Sequence, residues 1–233
     1  MGTRTLRRAI AGIVLVLFVG FAIWYECSQA IAQISERLGR PATAGSAQLS
    51  DCGRKTLDAI ELGRANMLID RKVATFFPWG CPSKSSSCKF SGITRAYPDA
   101  ACSPGAIYDL TGNTDPAKYD EAANMRLICA SKTDGRRNVP DAFKRQVFST
   151  YGVVRHTGSS HEIDHIVSLT LGGSNTTANL YPEAAAPLPG YHQKDLVEVQ
   201  LGRRICQGTI SLSSAQEIIA HSWLDYLKQL PSA

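Results

Sequence analysis

The sequence predicts an α+β protein, mostly helical, with a small strand–turn–strand–helix unit near the C-terminus and a disulfide framework. Three observations carry this. Helical periodicities dominate after residue 111, one alternating stretch broken by Gly172-Gly173 interrupts them, and seven cysteines accompany an export signal. With 233 residues, 44% hydrophobic and 19% charged, the chain can build one core with a smaller appendage. That composition does not fit wholesale disorder.

Arg4, Arg7 and Arg8 precede an uncharged apolar run over residues 9–25. Read as a cleaved signal peptide, residues 1–32 end at the small-residue site Ala30-Ile31-Ala32. Read as an uncleaved anchor, the run is short for a bilayer span and keeps its arginines on the cytoplasmic side, against the inner membrane. Either form places the remainder outside the cytoplasm, in the periplasm, secreted, or anchored and facing outward. Cleavage removes Cys27 and leaves six cysteines, Cys52, Cys81, Cys88, Cys102, Cys129 and Cys206, an even set suited to an oxidising compartment. Cys81 with Cys88 is the local bridge that spacing suggests. No C-x-x-C pair supports a structural zinc site. The formal charge is +5, and +3 without residues 1–32, which tolerates a polyanionic partner without requiring one.

Residues 33–50 are small, polar and aperiodic, a linker. Residues 51–110 form a cysteine-bearing loop and helix region, with a helix over 54–70 through Leu57, Ile60, Ala65 and Leu68. Dense Pro and Gly punctuation from Phe76 to Gly105 argues against long regular elements there. From 111 onward, Asp115-Pro116 starts a helix to about residue 127. A second helix follows Pro140, with Phe143, Val147 and Tyr151 on one stripe and Gly152 as its stop. Its polar face and the preceding loop carry Lys144, Arg145, Arg136 and Arg137, which read as solvated charges.

Ile163, His165, Val167 and Leu169 alternate with Asp164, Ile166 and Ser168, so a strand leads into the glycine turn; Asn179-Leu180-Tyr181 resumes the pairing before Pro182. Val197, Leu201 and Ile205 mark a helix over residues 191–206, stopped by Gly208. A last helix, capped near Ser213 with Gln216 three residues on, carries Ile218, Ile219, Trp223 and Leu227.

Chemistry concentrates in residues 161–206. Hydrolysis of a phosphodiester needs a base for water and a neutraliser for charge on the phosphate. An imidazole is neutral at ordinary pH and can be that base, and Asp164 and His192 could supply ligands to a divalent ion. In a regular strand Asp164 and His165 point to opposite faces, so they share a site only at a bend or a strand end. Asn179 lies close enough across the turn to hydrogen-bond near the base and fix its ring. Glu162 and His161 read as exposed strand residues, with extra ligands or phosphate contacts as the alternative, and Lys194, Asp195 and Glu198 read as helix-surface charges.

Asp164, His165, Asn179 and His192, with the Leu171-Gly172-Gly173 turn between them, resemble the HNH endonuclease motif on its ββα-metal fold. The likeness is closer to bacterial HNH-like proteins in which IC and a helix ending YG precede E-x-DH, L-x-L-GG, NL-x-PE, H-x-KD and a late I/V-C. Here these are Ile128-Cys129, Tyr151-Gly152, Glu162 to His165, Leu169 to Gly173, Asn179 to Glu183, His192 to Asp195 and Ile205-Cys206. The resemblance covers roughly residues 111–230 and makes 111–233 an HNH-like nuclease domain. It implies Asp164 and His192 as metal ligands, His165 as general base, Asn179 as the residue that positions it, and one divalent ion, Mg²⁺ before Mn²⁺ or Zn²⁺. The implied partner is a nucleic acid, DNA before RNA, with no small-molecule cofactor. Two departures are that His192 follows Asn179 by 13 positions across three prolines, and that Tyr181 stands where tryptophan is usual, which reads as packing. The competing reading is a catalytically silent exported relative that binds metal, nucleic acid or a protein partner.

Overall fold

The computed structural model describes Cys52 and residues 73–84, 86–90, 96–131, 137–154 and 160–230. The export segment, the linker and the helix expected over 54–70 lie outside the described residues. Ala47–Ala233 form one compact unit.

Two short antiparallel pairs and a set of helices make up the α+β architecture. Strand β1 (Ala74–Phe76) pairs with β2 (Ile107–Asp109), each buried along its whole length. At three residues with no exposed face, neither shows the alternation that signals a strand. Between them the described chain is irregular, as its prolines and glycines dictate. A 3-10 turn at Pro116–Lys118 is capped by the Asp115 side chain, and Asp120 then caps helix α1 (Glu121–Ala130). The expected helix start at Asp115 is therefore real but lasts one turn. Helix α2 (Asp141–Thr150) ends before Gly152, whose φ of 62° closes it.

Strand β3 (His161–His165) pairs antiparallel with β4 (Leu180–Ala184), with Asp164 opposite Tyr181 and Glu162 opposite Glu183. β4 continues through Pro182, which a two-stranded sheet tolerates because each strand keeps a free edge. Helix α3 (Tyr191–Cys206) follows and buries Tyr191, Lys194, Val197, Leu201 and Ile205 on one stripe. Helix α4 (Leu212–Glu217) is capped by Ser211, which accepts from Ser214 N, and not by Ser213; Gln216 is instead buried and donates to the Leu171 carbonyl at 2.8 Å. A π-helical turn (Ile218–Ser222) leads into α5 (Trp223–Leu227). Leu171, Leu201, Ile205, Leu212, Ile219 and Trp223 are almost wholly buried in one core, and each such side chain contributes roughly 1.5–3 kcal/mol.

The disulfides are Cys52–Cys81, Cys88–Cys102 and Cys129–Cys206. The local Cys81–Cys88 bridge suggested by spacing is not formed, because each of the two half-cystines meets a partner brought in from farther along the chain. Three bridges are compatible with an oxidising, exported environment. Cys129–Cys206 ties the end of α1 to the end of α3, and β3–β4 lies against α2.

Candidate active site

The site begins where β3 ends. After His165 the chain leaves the sheet, makes a 3-10 turn at Leu169–Leu171 and returns through Gly172-Gly173. Gly172 is left-handed at φ 80°. At Gly173 a Cβ would sit 1.7 Å from the Val167 carbonyl oxygen, so only glycine allows the loop to close. Asn179, fully buried, closes it from the other side. Its Oδ1 accepts from Val167 N (2.9 Å) and Ala106 N (3.2 Å), and its Nδ2 donates to Val167 O (3.0 Å) and Ser174 O (2.8 Å). These four bonds use the amide's capacity.

Asn179 thus holds the loop that follows His165, while the imidazole itself meets another residue, Asn175. His165 is 2% exposed, and its Nε2 lies 3.0 Å from Asn175 Oδ1. The same Oδ1 lies 3.5 Å from the Asn138 backbone N–H, an arrangement in which the oxygen accepts from both sides. In that arrangement His165 Nε2 carries the proton and Nδ1 holds the lone pair. Asn175 is itself held, because its backbone N–H donates to the Tyr108 hydroxyl at 2.9 Å. Along the same seam Tyr108 N donates to Gly172 O (2.9 Å), and Ser174 N to Ala106 O (3.0 Å). The segment around β2 braces the loop.

A pocket of about 380 Å³ opens beside His165. Arg137, Glu162, Asp164, His165, Asp195 and Glu198 line it, with the Ser168–Thr170 turn. Asp164 and His165 share it because His165 is the last residue of the strand. Arg137 is not merely solvated: its Nη2 donates to the Ile163 carbonyl at 3.0 Å, and its charge reaches His165, Glu162 and Asp195. Burial pushes His165 down to about 4, with Asp164 and Asn175 opposing, so its ring is neutral at ordinary pH. Burial, helped by Asp164 and Asp195, pushes Glu162 up to about 7, and burial does the same to Glu198 against the pull of Lys194. Asp195 is raised by burial and by Asp164.

Behind the pocket lies an ammonium. Lys194 is 1% exposed, not a helix-surface charge. It donates to the Asp164 carboxylate, to the His165 carbonyl (2.7 Å) and to Glu198 Oε1 (3.1 Å), with Glu183 Oε2 at 3.6 Å. Burial works against its charge, but Asp164, Glu198 and Glu183 outweigh it and hold its pKa well above the lysine value. Burial would raise Asp164, yet Lys194 holds it below the usual carboxylate range. Glu183 goes the other way: burial and the Asp164 charge raise it well above that range. Asp164, Glu183 and Glu198, from β3, β4 and α3, thus meet around the one ammonium of Lys194.

His192 is placed differently. It is exposed on the first turn of α3, its ring 4.2 Å from that of Tyr191, and it does not line the pocket. The structure brings Asp164, His165 and the Asn179-held loop together but does not bring His192 to them. Among the described residues no group of three or more His, Cys, Asp or Glu side chains is arranged to hold a metal ion. Asp164 is bound to the Lys194 ammonium, and His192 stands outside the pocket lining.

No family model, curated protein or solved structure matches this chain.

Sequence reasoning missed Asn175, Arg137 and Lys194. Asn175 stands in a Gly-Gly-Ser-Asn turn, where asparagine is ordinary. Lys194 did leave a signal, because it precedes Val197, Leu201 and Ile205 at the spacing of the buried stripe.

Proposed function

We propose that this chain is an exported phosphodiester hydrolase of the HNH type acting on nucleic acid, DNA before RNA, with His165 as general base. The observation that carries the reading is the buried imidazole of His165, held by Asn175 and kept neutral by burial, at a pocket that also holds Arg137. In the proposed step Nδ1 takes a proton from water as the water oxygen bonds to phosphorus. The opposite P–O ester bond breaks, and its oxygen takes a proton from solvent. Arg137 lies where its guanidinium can meet a phosphate oxygen. Asn179 and Gly173 keep the loop, and hence the base, in place.

Four carboxylates against one arginine make the pocket unfavourable for a polyanion by itself. A divalent ion, Mg²⁺ with Mn²⁺ or Zn²⁺ as alternatives, belongs to the proposal for that reason and would supply charge neutralisation at the phosphate. Because Asp164 and His192 are not assembled as a pair, no step is assigned to it. The Asp164–Lys194 ion pair also favours the second reading, a catalytically silent relative that binds without cutting.

One experiment separates the two. The purified chain, disulfides intact, is incubated with plasmid and single-stranded DNA and with RNA in the presence of each ion. Hydrolysis is expected, falling by about 10²–10⁴-fold in His165→Ala with the melting temperature retained. Activity that survives in His165→Ala defeats the assigned mechanism, and binding without cleavage under every ion establishes the silent reading.

A further inference from the structure

Three acidic side chains and a backbone carbonyl, all oxygen donors of the type a hard metal cation takes, converge on Lys194 from β3, β4 and α3, although with the lysine between them no three of these side chains stand in a metal-ligand arrangement. The ammonium offers three N–H groups, and three acceptors take them, Asp164, the His165 carbonyl and Glu198. Glu183 is left over. It is 2% exposed, one of its oxygens lies 3.6 Å from the ammonium without taking an N–H from it, and its carboxyl lies against Asp164 and Tyr181. A buried carboxyl aimed at a cation that has no donor left for it marks a set larger than lysine can satisfy.

We propose that the Lys194 ammonium is the resident cation of the Asp164 site: it fills the place where Asp164, Glu183, Glu198 and the His165 carbonyl would otherwise bind a divalent ion, and it positions Asp164 and the His165 backbone in that ion's stead. Lys194 does not itself line the pocket and acts only through Asp164, Glu198 and the His165 backbone, so it is a positioning residue. It holds the peptide oxygen of the base itself, and it keeps the adjacent carboxylate ionised and fixed at the pocket wall. The inference concerns what occupies these carboxylates and stands apart from whether the chain cuts nucleic acid.

The test is calorimetric titration of the whole chain with Mn²⁺ alone. Lys194→Met keeps the side chain's length and removes the charge, so it is expected to gain a Mn²⁺ site at least about tenfold tighter than any in the wild type, and to rise in melting temperature on adding Mn²⁺. Both gains should vanish in Lys194→Met/Asp164→Asn. Wild-type Mn²⁺ binding that weakens about tenfold in Asp164→Asn overturns the proposal, and so does a folded Lys194→Met that binds no better than wild type. Should Lys194→Met not fold, ¹H–¹⁵N spectra of the wild type decide. An exchange-protected ammonium resonance, assigned by its loss in Lys194→Arg and unmoved by saturating Mg²⁺, supports the resident cation; its absence, or its displacement by Mg²⁺, overturns it. Inactivity toward nucleic acid with this binding pattern intact removes the nuclease reading alone.

Discussion

Asp109 and Asp164 are both buried carboxylates on short strands, and they are satisfied in opposite ways. Asp109 Oδ1 accepts from Thr111 N (2.8 Å), Thr111 Oγ1 (2.6 Å) and Asn124 Nδ2 (3.1 Å), while its Oδ2 has no partner. Those donors are neutral, and Asn124 returns a bond to Leu110 N at 2.7 Å, so the group pins the turn after β2 to α1. Asp164 instead meets a charged partner 30 residues away, among competing carboxylates, at the wall of a pocket. Neutral, local satisfaction builds a turn. A crowded charge cluster open to solvent on one side builds a site whose electrostatics other groups can shift.

The same substitution at the two positions gives the largest contrast. Asp164→Asn breaks a buried ion pair and should cost about 3 kcal/mol, the low end for such a loss, because Glu183 can ionise in its place. Asp109→Asn can put its amide nitrogen at the unpartnered Oδ2 side and keep every acceptor bond, so its cost should stay within about 1 kcal/mol. Urea unfolding with disulfides intact measures both. Equal costs would mean that the Asp164 cluster is only another structural network.

The pH dependence of stability sharpens the contrast further, because the Asp164 neighbourhood holds two groups of opposite sign. His165 is depressed to about 4 from the usual 6.5, so its contribution is full above 6.5 and is lost as pH falls through 4. Glu162 is raised to about 7 from 4.5, so its contribution is full below 4.5 and is lost as pH rises through 7; Glu198 acts in the same sense. The slopes oppose each other between 4.5 and 6.5. Removing both raised carboxyls, Glu162→Gln with Glu198→Gln, should therefore unmask a fall in stability toward acid, on the order of 2 kcal/mol for the fully buried imidazole. His165→Asn should unmask the reverse and smaller slope, since Glu162 is half-exposed and screened. Unfolding free energies at a series of pH values check both signs, and flat profiles in both variants would contradict the placement of these groups.

How legible the molecule was depended on what each residue had to do. Helix α3 could be read to its ends, since Val197, Leu201 and Ile205 repeat on one face and Gly208 follows. The β3 turn was legible from Gly172-Gly173, because no other residue fits against the Val167 carbonyl. The β1–β2 pair was not, being buried on both faces and three residues long. The bridge partners of Cys81 and Cys88 depended on three-dimensional packing that spacing does not encode. At Lys194 a sound rule misled: charged side chains on a helix usually face water, and here the charge lies in the apolar stripe because three carboxylates wait behind it. His165 stood out in the sequence beside Asp164, but its partner Asn175 was hidden among ordinary turn residues.

Tyr108 links the two regions and gives the smallest expected effect. It neighbours Asp109 on β2, and its hydroxyl accepts the Asn175 backbone N–H that steadies the partner of His165. Tyr108→Phe strands that buried N–H and should cost about 1 kcal/mol. If β2 serves only the fold, hydrolysis should drop no more than the loss of folded protein explains. If β2 braces the base, kcat should fall a further few-fold with KM unchanged, because Asn175 touches the imidazole and no part of it reaches the pocket's substrate side. The second outcome is the one expected. It would make the cysteine-bearing segment, which carries none of the reacting groups, the support against which the loop of His165 is held.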